Sequence, residues 1–277
     1  MNVTAKVAKI FPFRLPLQWR IAALKNGFQD TMAYRLDFIF EVLGYAIVPA
    51  AIQMVLWHAM FSTGGVTEVR GMSYHDLVSY TLTSVLFSQV RGGNHDVELQ
   101  EMISSGGLSQ YLLRPVGVVE FTWIRGVAGK VLIAGVCLLV GVCVAAFVGY
   151  TPGRFVGGMF LALLGNIIHY QFGAILATAA FYWEEAFSIL MVKNMVVDLL
   201  CGDLIPLNLF PDHLQWIWKS FPFYLYVSGP VQYSLGKWSH TEYLHQIGIS
   251  LMWIAGGWVL IRMSWGFGMK RYLSLGG

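Results

Sequence analysis

The side chains of this chain best suited to chemistry lie inside apolar stretches. Lys193, Asn194 and Asp198 fall within one of them, and Asn194 and Asp198 are four residues apart on a shared helical face. Asn166 and His169 share a face of another stretch, with Gln171 on a different side. Thr81, Ser84 and Ser88 recur at i, i+3 and i+7, just ahead of Arg91. Ionisable groups in such surroundings either move an ion or polar cargo or pair with one another, and both readings stay open for Lys193 and Asp198. The hydroxyl stripe either lines a water-filled path or bonds a neighbouring helix. His169 has no second His at i+4, so it reads as a hydrogen-bonded core residue, and no metal site is expected. Enzyme signatures are missing: there is no H-E-x-x-H, no C-x-x-C and no G-x-S-x-G. The nearest approach to a phosphate-binding loop, Gly126-Val127-Ala128-Gly129-Lys130-Val131, lacks the first glycine and the hydroxyl residue. No catalytic residue is therefore expected, and no ATP site of that type.

The elements that must hold these groups are membrane helices. Of the 277 residues, 56% are hydrophobic and 12% charged, with a mean hydropathy of +0.60. Soluble chains carry roughly 25% charge, so this one cannot coat a water-facing surface of the usual kind. Ten Trp and 13 Tyr suit interfacial aromatic belts. The three cysteines, Cys137, Cys143 and Cys201, sit in apolar runs and read as packed thiols. A net charge of +3 is too small to argue for nucleic acid.

A span needs about 20 apolar residues. Six candidates appear: Phe38–Met60, Met72–Val90, Val131–Val148, Phe155–Tyr182, Ala186 to about Leu200, and Tyr243–Arg262. The expected fold is all-α, a polytopic membrane bundle forming a single domain over 1–277. It has an arm over 1–35, an inner loop over 91–125 and a broken segment over 201–235. The first residues show no apolar core of a cleavable signal, so the N-terminus is expected to be retained, with the Asn2-Val3-Thr4 sequon a chance match.

Charge placement gives the orientation. Lys6, Lys9, Arg14, Arg20, Lys25 and Arg35 precede the first span. Arg91, Arg114, Arg125 and Lys130 lie between the second and third, and Arg262, Lys270 and Arg271 close the chain. With Lys193 set aside as intramembrane, the opposite side holds only Arg70, Arg154, Lys219 and Lys237. Both termini are expected in the cytoplasm of a multi-pass protein of the inner or plasma membrane. Glu41 then lies at the inner interface.

Leu17, Ile21, Leu24 and Phe28 recur at helical spacing between basic residues, which reads as an amphipathic helix at the inner interface or a cap on the bundle. In the inner loop Asn94 can cap a short helix carrying Asp96, Glu98 and Glu101. Ser104-Ser105-Gly106-Gly107 stops it, and Leu108–Leu113 adds about a turn before Pro115. Tyr111, Leu112 and Leu113 make an apolar knob on the water side. It is either a docking surface or folds back onto the bundle. Gly153 and Gly157 form a G-x-x-x-G that permits close packing.

The stretch MISSGGLSQYLLRP resembles the ABC-2 family of transporter permeases, and most of all its six-span branch, through Ile103, Gly106, Leu108, Tyr111, Leu112, Leu113, Arg114 and Pro115. A second stretch, LLCGDLIPLNLFP, is similar to the family's L-x-G-x-x-I-P-L-x-x-F-P segment through Leu200, Gly202, Ile205, Pro206, Leu207, Phe210 and Pro211. Phe221-Pro222-Phe223, Pro230 and the GMKRYLSLGG tail continue the likeness, while Asp203 departs from it.

The resemblance implies the membrane half of an ABC transporter, most of all an exporter. It implies that the loop is a coupling helix for two ATPase subunits, which carry the ATP and Mg, with docking residues Glu98, Glu101, Met102, Leu108, Tyr111, Leu112, Leu113 and Arg114. It further implies short re-entrant helices after the fifth span, forming an outer gate at Gly202, Pro206, Phe210 and Pro211. A second permease chain is expected, a paralogue ahead of an identical copy, around a pathway touching Thr81, Ser84, Ser88, Asn194 and Asp198. An ion-coupled secondary transporter using Asp198, Lys193 or His169 is the alternative, although such proteins show internal repeats and none is apparent here. A membrane scaffold recruiting a soluble partner is the third reading.

Overall fold

The computed structural model describes residues 17–33, 35–93, 95–112, 116–183, 185–211, 213–216 and 221–274. Asn2, Lys6, Lys9, Arg14, Asn94, Leu113, Arg114, Pro115, Lys219 and the final glycines lie outside them, as do the side chains of Leu17, Arg35 and Glu41. The described residues are helical, with an isolated bridge between Val69 and Met72 and no strand.

In chain order the helices are α1 (Leu17–Ala33), α2 (Arg35–Ser62), α3 (Tyr74–Arg91), α4 (His95–Ser104), α5 (Leu108–Leu112) and α6 (Val118–Val148). They continue with α7 (Pro152–Ala177), α8 (Ala186–Leu200), α9 (Ser228–Ser234) and α10 (His240–Ser274). Local chemistry sets several ends. Ser73 and Asp76 form a reciprocal capping box at the start of α3, each side chain bonding the other's backbone N–H at 3.2 and 3.1 Å. Pro152 opens α7, where its missing N–H costs nothing. The inner loop is shorter than its expected limits, because α6 already begins at Val118. Charged Glu120 and Arg125 make the start of α6 look like loop, but both are tied to α1.

Among the described residues, three stretches are long and apolar enough to cross a membrane: Val118–Ala145, Pro152–Phe181 and His240–Tyr272. A fourth apolar helical stretch, Ala46–Ser62, is shorter. Helix α7 is the hub and packs on α10, α9, α6, α4, α3 and α8. Of its apolar stretch 67% is buried, against 28% for α6 and 17% for α10, so the latter two are outer walls.

Small residues let the hub work. A Cβ on Gly165 would lie 2.7 Å from the Leu225 carbonyl oxygen, and one on Gly158 would lie 2.8 Å from that of Pro230. The backbone of the broken segment is therefore pressed directly onto α7. Gly157 faces Tyr233, but Gly153 has open space around it, so the two glycines of the G-x-x-x-G do not act as one packing face. Helix α1 docks on α6 through Ala23 and Gly27, where a Cβ would come within 2.1 Å of the Arg125 carbonyl oxygen. Ile21, from the stripe Leu17, Ile21, Leu24 and Phe28, points away from the bundle and is 57% exposed. The helix thus caps α6 with its small residues and turns part of its apolar stripe outward.

Candidate functional site

The inner loop carries the first group of candidates. Along α4, Asp96, Leu99, Gln100 and Ile103 follow the helical repeat and are all buried, mainly against α7. Asp96 accepts a charge-assisted hydrogen bond from Lys193 of α8, and both side chains are enclosed. Gln100 donates to Ser104 Oγ at 2.9 Å, which closes the helix end. Gly106 then takes φ +76, a left-handed backbone that a side chain would strain. The chain turns into α5, and Leu108 drops into a cluster with Leu99, Ile103, Phe181, Trp265 and Met269. Tyr272 Oη reaches the Gly106 carbonyl at 3.4 Å. The loop is therefore clamped from behind by the C-terminal ends of α7 and α10.

Of the expected docking residues, Glu101 is exposed, while Glu98, Met102, Tyr111 and Leu112 are half-buried. Leu108 is fully buried within this chain, so it supports the loop rather than reaching a partner. Glu98 also serves a joint that the sequence did not disclose. Arg125 of α6 bonds Glu98 of α4 at 2.6 Å and Asp30 of α1 at 2.8 Å. Three elements, α1, α4 and α6, thus meet on one guanidinium. Burial raises the Glu98 carboxyl above its ordinary range, opposed by the Arg125 charge. His95 stands at the start of α4 with its ring over Gly126, where any Cβ would fall within 2.2 Å of Nε2. Burial, with Lys130 and Arg125 nearby, pushes His95 down to about 4, against the pull of Asp96. The fragment that faintly resembled a phosphate loop is thus helical wall, with Gly126 accepting His95 and Gly129 facing Thr31.

Above the loop sits a charged cluster. Arg91, at the end of α3, bonds Asp198 at 2.6 Å and lies 3.8 Å from Asp203. Asn166 donates to the carbonyls of Val90 and Arg91 at 2.9 and 3.2 Å, fixing the end of α3 against the hub. His169 packs edge-on to Tyr226 at 5.4 Å, and its Nε2 is buried without a partner. Asn194 and Asp198 are both half-buried on α8.

The hydroxyls of α3 divide. Thr81 is fully buried, donates to Gln53 at 3.0 Å and accepts from Trp57 Nε1 at 3.0 Å, so it joins α3 to α2. Ser84 and Ser88 bond carbonyls of their own helix, and Ser88 stands beside Asp203. Among the described residues no group of three His, Cys, Asp or Glu could hold a metal.

The broken segment is fastened residue by residue. Gly202, at φ +79, offers its carbonyl to Tyr80 Oη at 2.7 Å. Ser228 N returns to the Cys201 carbonyl at 3.0 Å. Arg70 bonds the Phe210 carbonyl, Pro206 is buried, and Pro211 is exposed. The partners Asp96, Asp30 and Arg125 were missed by sequence reasoning. One signal was available for Asp96: it shares the helical face of Leu99 and Ile103.

Compared with known proteins, residues 47–276 match the family model described as ABC-2 family transporter protein. No curated protein and no solved structure matches this chain.

Proposed function

The chain belongs to the ABC-2 transporter family, and from that premise we propose that it is the permease half of an ABC exporter with its α4–α5 loop as the coupling element. It is a membrane protein of a family whose permeases work with ABC ATPase subunits. In our reading α2, α3, α6, α7, α8 and α10 are six spans, with both termini in the cytoplasm and 201–235 forming the outer gate. Two ATPase subunits, carrying ATP and Mg, dock below, and a second permease chain, a paralogue ahead of an identical copy, completes the pathway.

One observation carries the reading. The inner loop is rigidly braced from within while its outer side stays open. Its buried face is locked by Lys193 to α8 and by Arg125 to α1 and α6, and Glu101, Ser105, Ser109 and Gln110 face outward. A push on the exposed side would be passed directly to α8, which bears Asn194 and Asp198. A loose loop would absorb it. The ion-coupled alternative has less support, since Lys193 and Asp198 both hold ion pairs.

The test is a charge reversal on the exposed face. Glu101→Lys should cut co-purification of the ATPase about tenfold or more, leaving the permease monodisperse in detergent. Undiminished co-purification by Glu101→Lys combined with Ser109→Arg would end the docking assignment.

A further inference from the structure

A cavity opens beside the broken segment, next to the proposed outer gate. It lies between that segment and the start of α10 and has a volume of about 510 Å³, a size typical of small-molecule sites. None of Thr81, Ser84, Ser88, Asn194 or Asp198 lines it. Its lining is apolar at Leu207 and Ile249, and its polar groups include the amides of Asn208, Gln232 and Gln246.

Gln232 is the telling residue. It lies on α9, is only 8% exposed, and its amide has no hydrogen-bond partner among the described residues. Its amide atoms stay accessible from the cavity, so its N–H and carbonyl groups are available to a ligand or water there. Gln246, 9% exposed on α10, accepts a hydrogen bond from Tyr224 Oη with its carbonyl oxygen. What it has left to offer is its two N–H groups.

Charge does not select the occupant. Lys237 and Glu242 are of opposite sign, His245 also lines the cavity, and Lys237 is already paired with Asp76 at 3.1 Å. Aromatic surface is present in Trp238 and Tyr224, and Trp238 is held by Arg154, which bonds its carbonyl at 3.0 Å. Side-chain amides both donate and accept, which matches adjacent hydroxyls, and flat rings match the C–H faces between them.

We infer that this cavity binds a neutral, polyhydroxylated ligand such as a sugar ring, in which Gln232 and Gln246 read hydroxyls beside the Trp238 ring. Its placement outside the cell rests on the orientation proposed above, but the chemistry of the lining does not. The ring can come from a free oligosaccharide or from the headgroup of a glycolipid in the outer leaflet.

The experiment uses the full chain in phosphatidylcholine nanodiscs, titrated with maltotriose, and in a parallel set containing monoglucosyl diacylglycerol. Saturable trisaccharide binding supports the site as open to water. Retention of the glycolipid over phosphatidylglycerol, without trisaccharide binding, supports it as fed from the leaflet. Either affinity should fall about tenfold in Gln232→Met. Because that amide has no partner among the described residues, the exchange should leave folding intact. Ile249→Trp, which fills the cavity from its apolar wall, should abolish binding. Failure of both probes, or unchanged binding in Gln232→Met, overturns the inference. Glu242→Cys, treated with an impermeant maleimide on intact cells, tests the orientation separately. Labelling there with no sugar binding sinks the site and leaves the exporter reading standing.

Discussion

Lys193 and Asp96 are the pair on which the inner loop depends. Their side chains are 1% and 4% exposed, so each charge is tolerable only because the other is present. Removing one partner from such a pair costs about 3–5 kcal/mol, whereas replacing both with apolar residues is often neutral. Lys193→Met should therefore lower stability by about that amount, and Lys193→Met with Asp96→Leu should restore most of it. Unfolding of the purified protein in mixed detergent micelles measures both. An unaffected single variant would mean that the pair does not hold the loop. The sequence left Lys193 divided between an ion pair and a transport role, and it did so for a physical reason: the partner is 97 residues away, and spacing alone cannot bring the two together. His95 supplies a second expectation. Its folded value of about 4 lies below the ordinary 6.5, so the folded chain binds a proton less readily than the unfolded one. That contribution to stability is present above pH 6.5 and is lost as pH falls through about 4. His95→Phe, which keeps a ring over Gly126, should show a flatter loss of thermal stability across that interval. A variant as acid-sensitive as the wild type would assign the effect elsewhere.

Helix α7 shows how one element can be read correctly while its packing is misjudged. Its length and apolarity are plain in the residues from Phe155 to Tyr182, and the helix runs from Pro152 to Ala177 before a 3-10 turn ending at Phe181. The glycine pair at 153 and 157 drew attention by its spacing, yet the close approaches fall at Gly158 and Gly165, seven residues apart. Gly165 meets the irregular backbone at Leu225 and Gly158 meets the short helix α9 at Pro230 and Ser234, so no pattern of two long paired helices could reveal them. The two classes of glycine should behave oppositely. Gly165→Ala places a methyl 2.7 Å from a backbone oxygen that has no flexible end to yield, and well-folded protein should be lost on size-exclusion chromatography. Gly153→Ala meets nothing and should be neutral or slightly stabilising, by up to about 1 kcal/mol. If both behave alike, α7 is not the tightly packed hub. The arm was half readable in the same way. The stripe through Ile21 marked an amphipathic helix, but α1 is docked through Ala23 and Gly27, because small residues allow backbone contact that larger apolar ones would prevent.

The exposed surfaces of this molecule bear on the proposed pairing with a second permease chain. Helices α6 and α10 carry outward apolar residues such as Leu139, Val259 and Phe267, as walls facing lipid should. Helix α8 is different. Val192, Met195 and Leu199 are exposed on it, and beside them Asp198 is only half-buried, its side chain 43% exposed despite its bond to Arg91. If α8 is a span, as proposed above, a half-exposed carboxylate there is costly against hydrocarbon, and such groups face protein or a watery cavity instead. The outer side of α8 should therefore be covered by a second permease chain or open onto the path between two chains. Met195 is 74% exposed on that side, which makes it the reporter. Met195→Cys in native membranes, on a Cys137→Ala, Cys143→Ala, Cys201→Ala background, should form an intermolecular cross-link with a short bifunctional maleimide. The cross-link should carry one tag if the partner is an identical copy, and require a cysteine in the companion chain if it is a paralogue. Leu139→Cys on α6 should remain uncrosslinked under the same conditions. Equal cross-linking at both positions, or none at Met195 with any partner, would return α8 to the lipid and leave the charge on Asp198 without an explanation in the paired assembly.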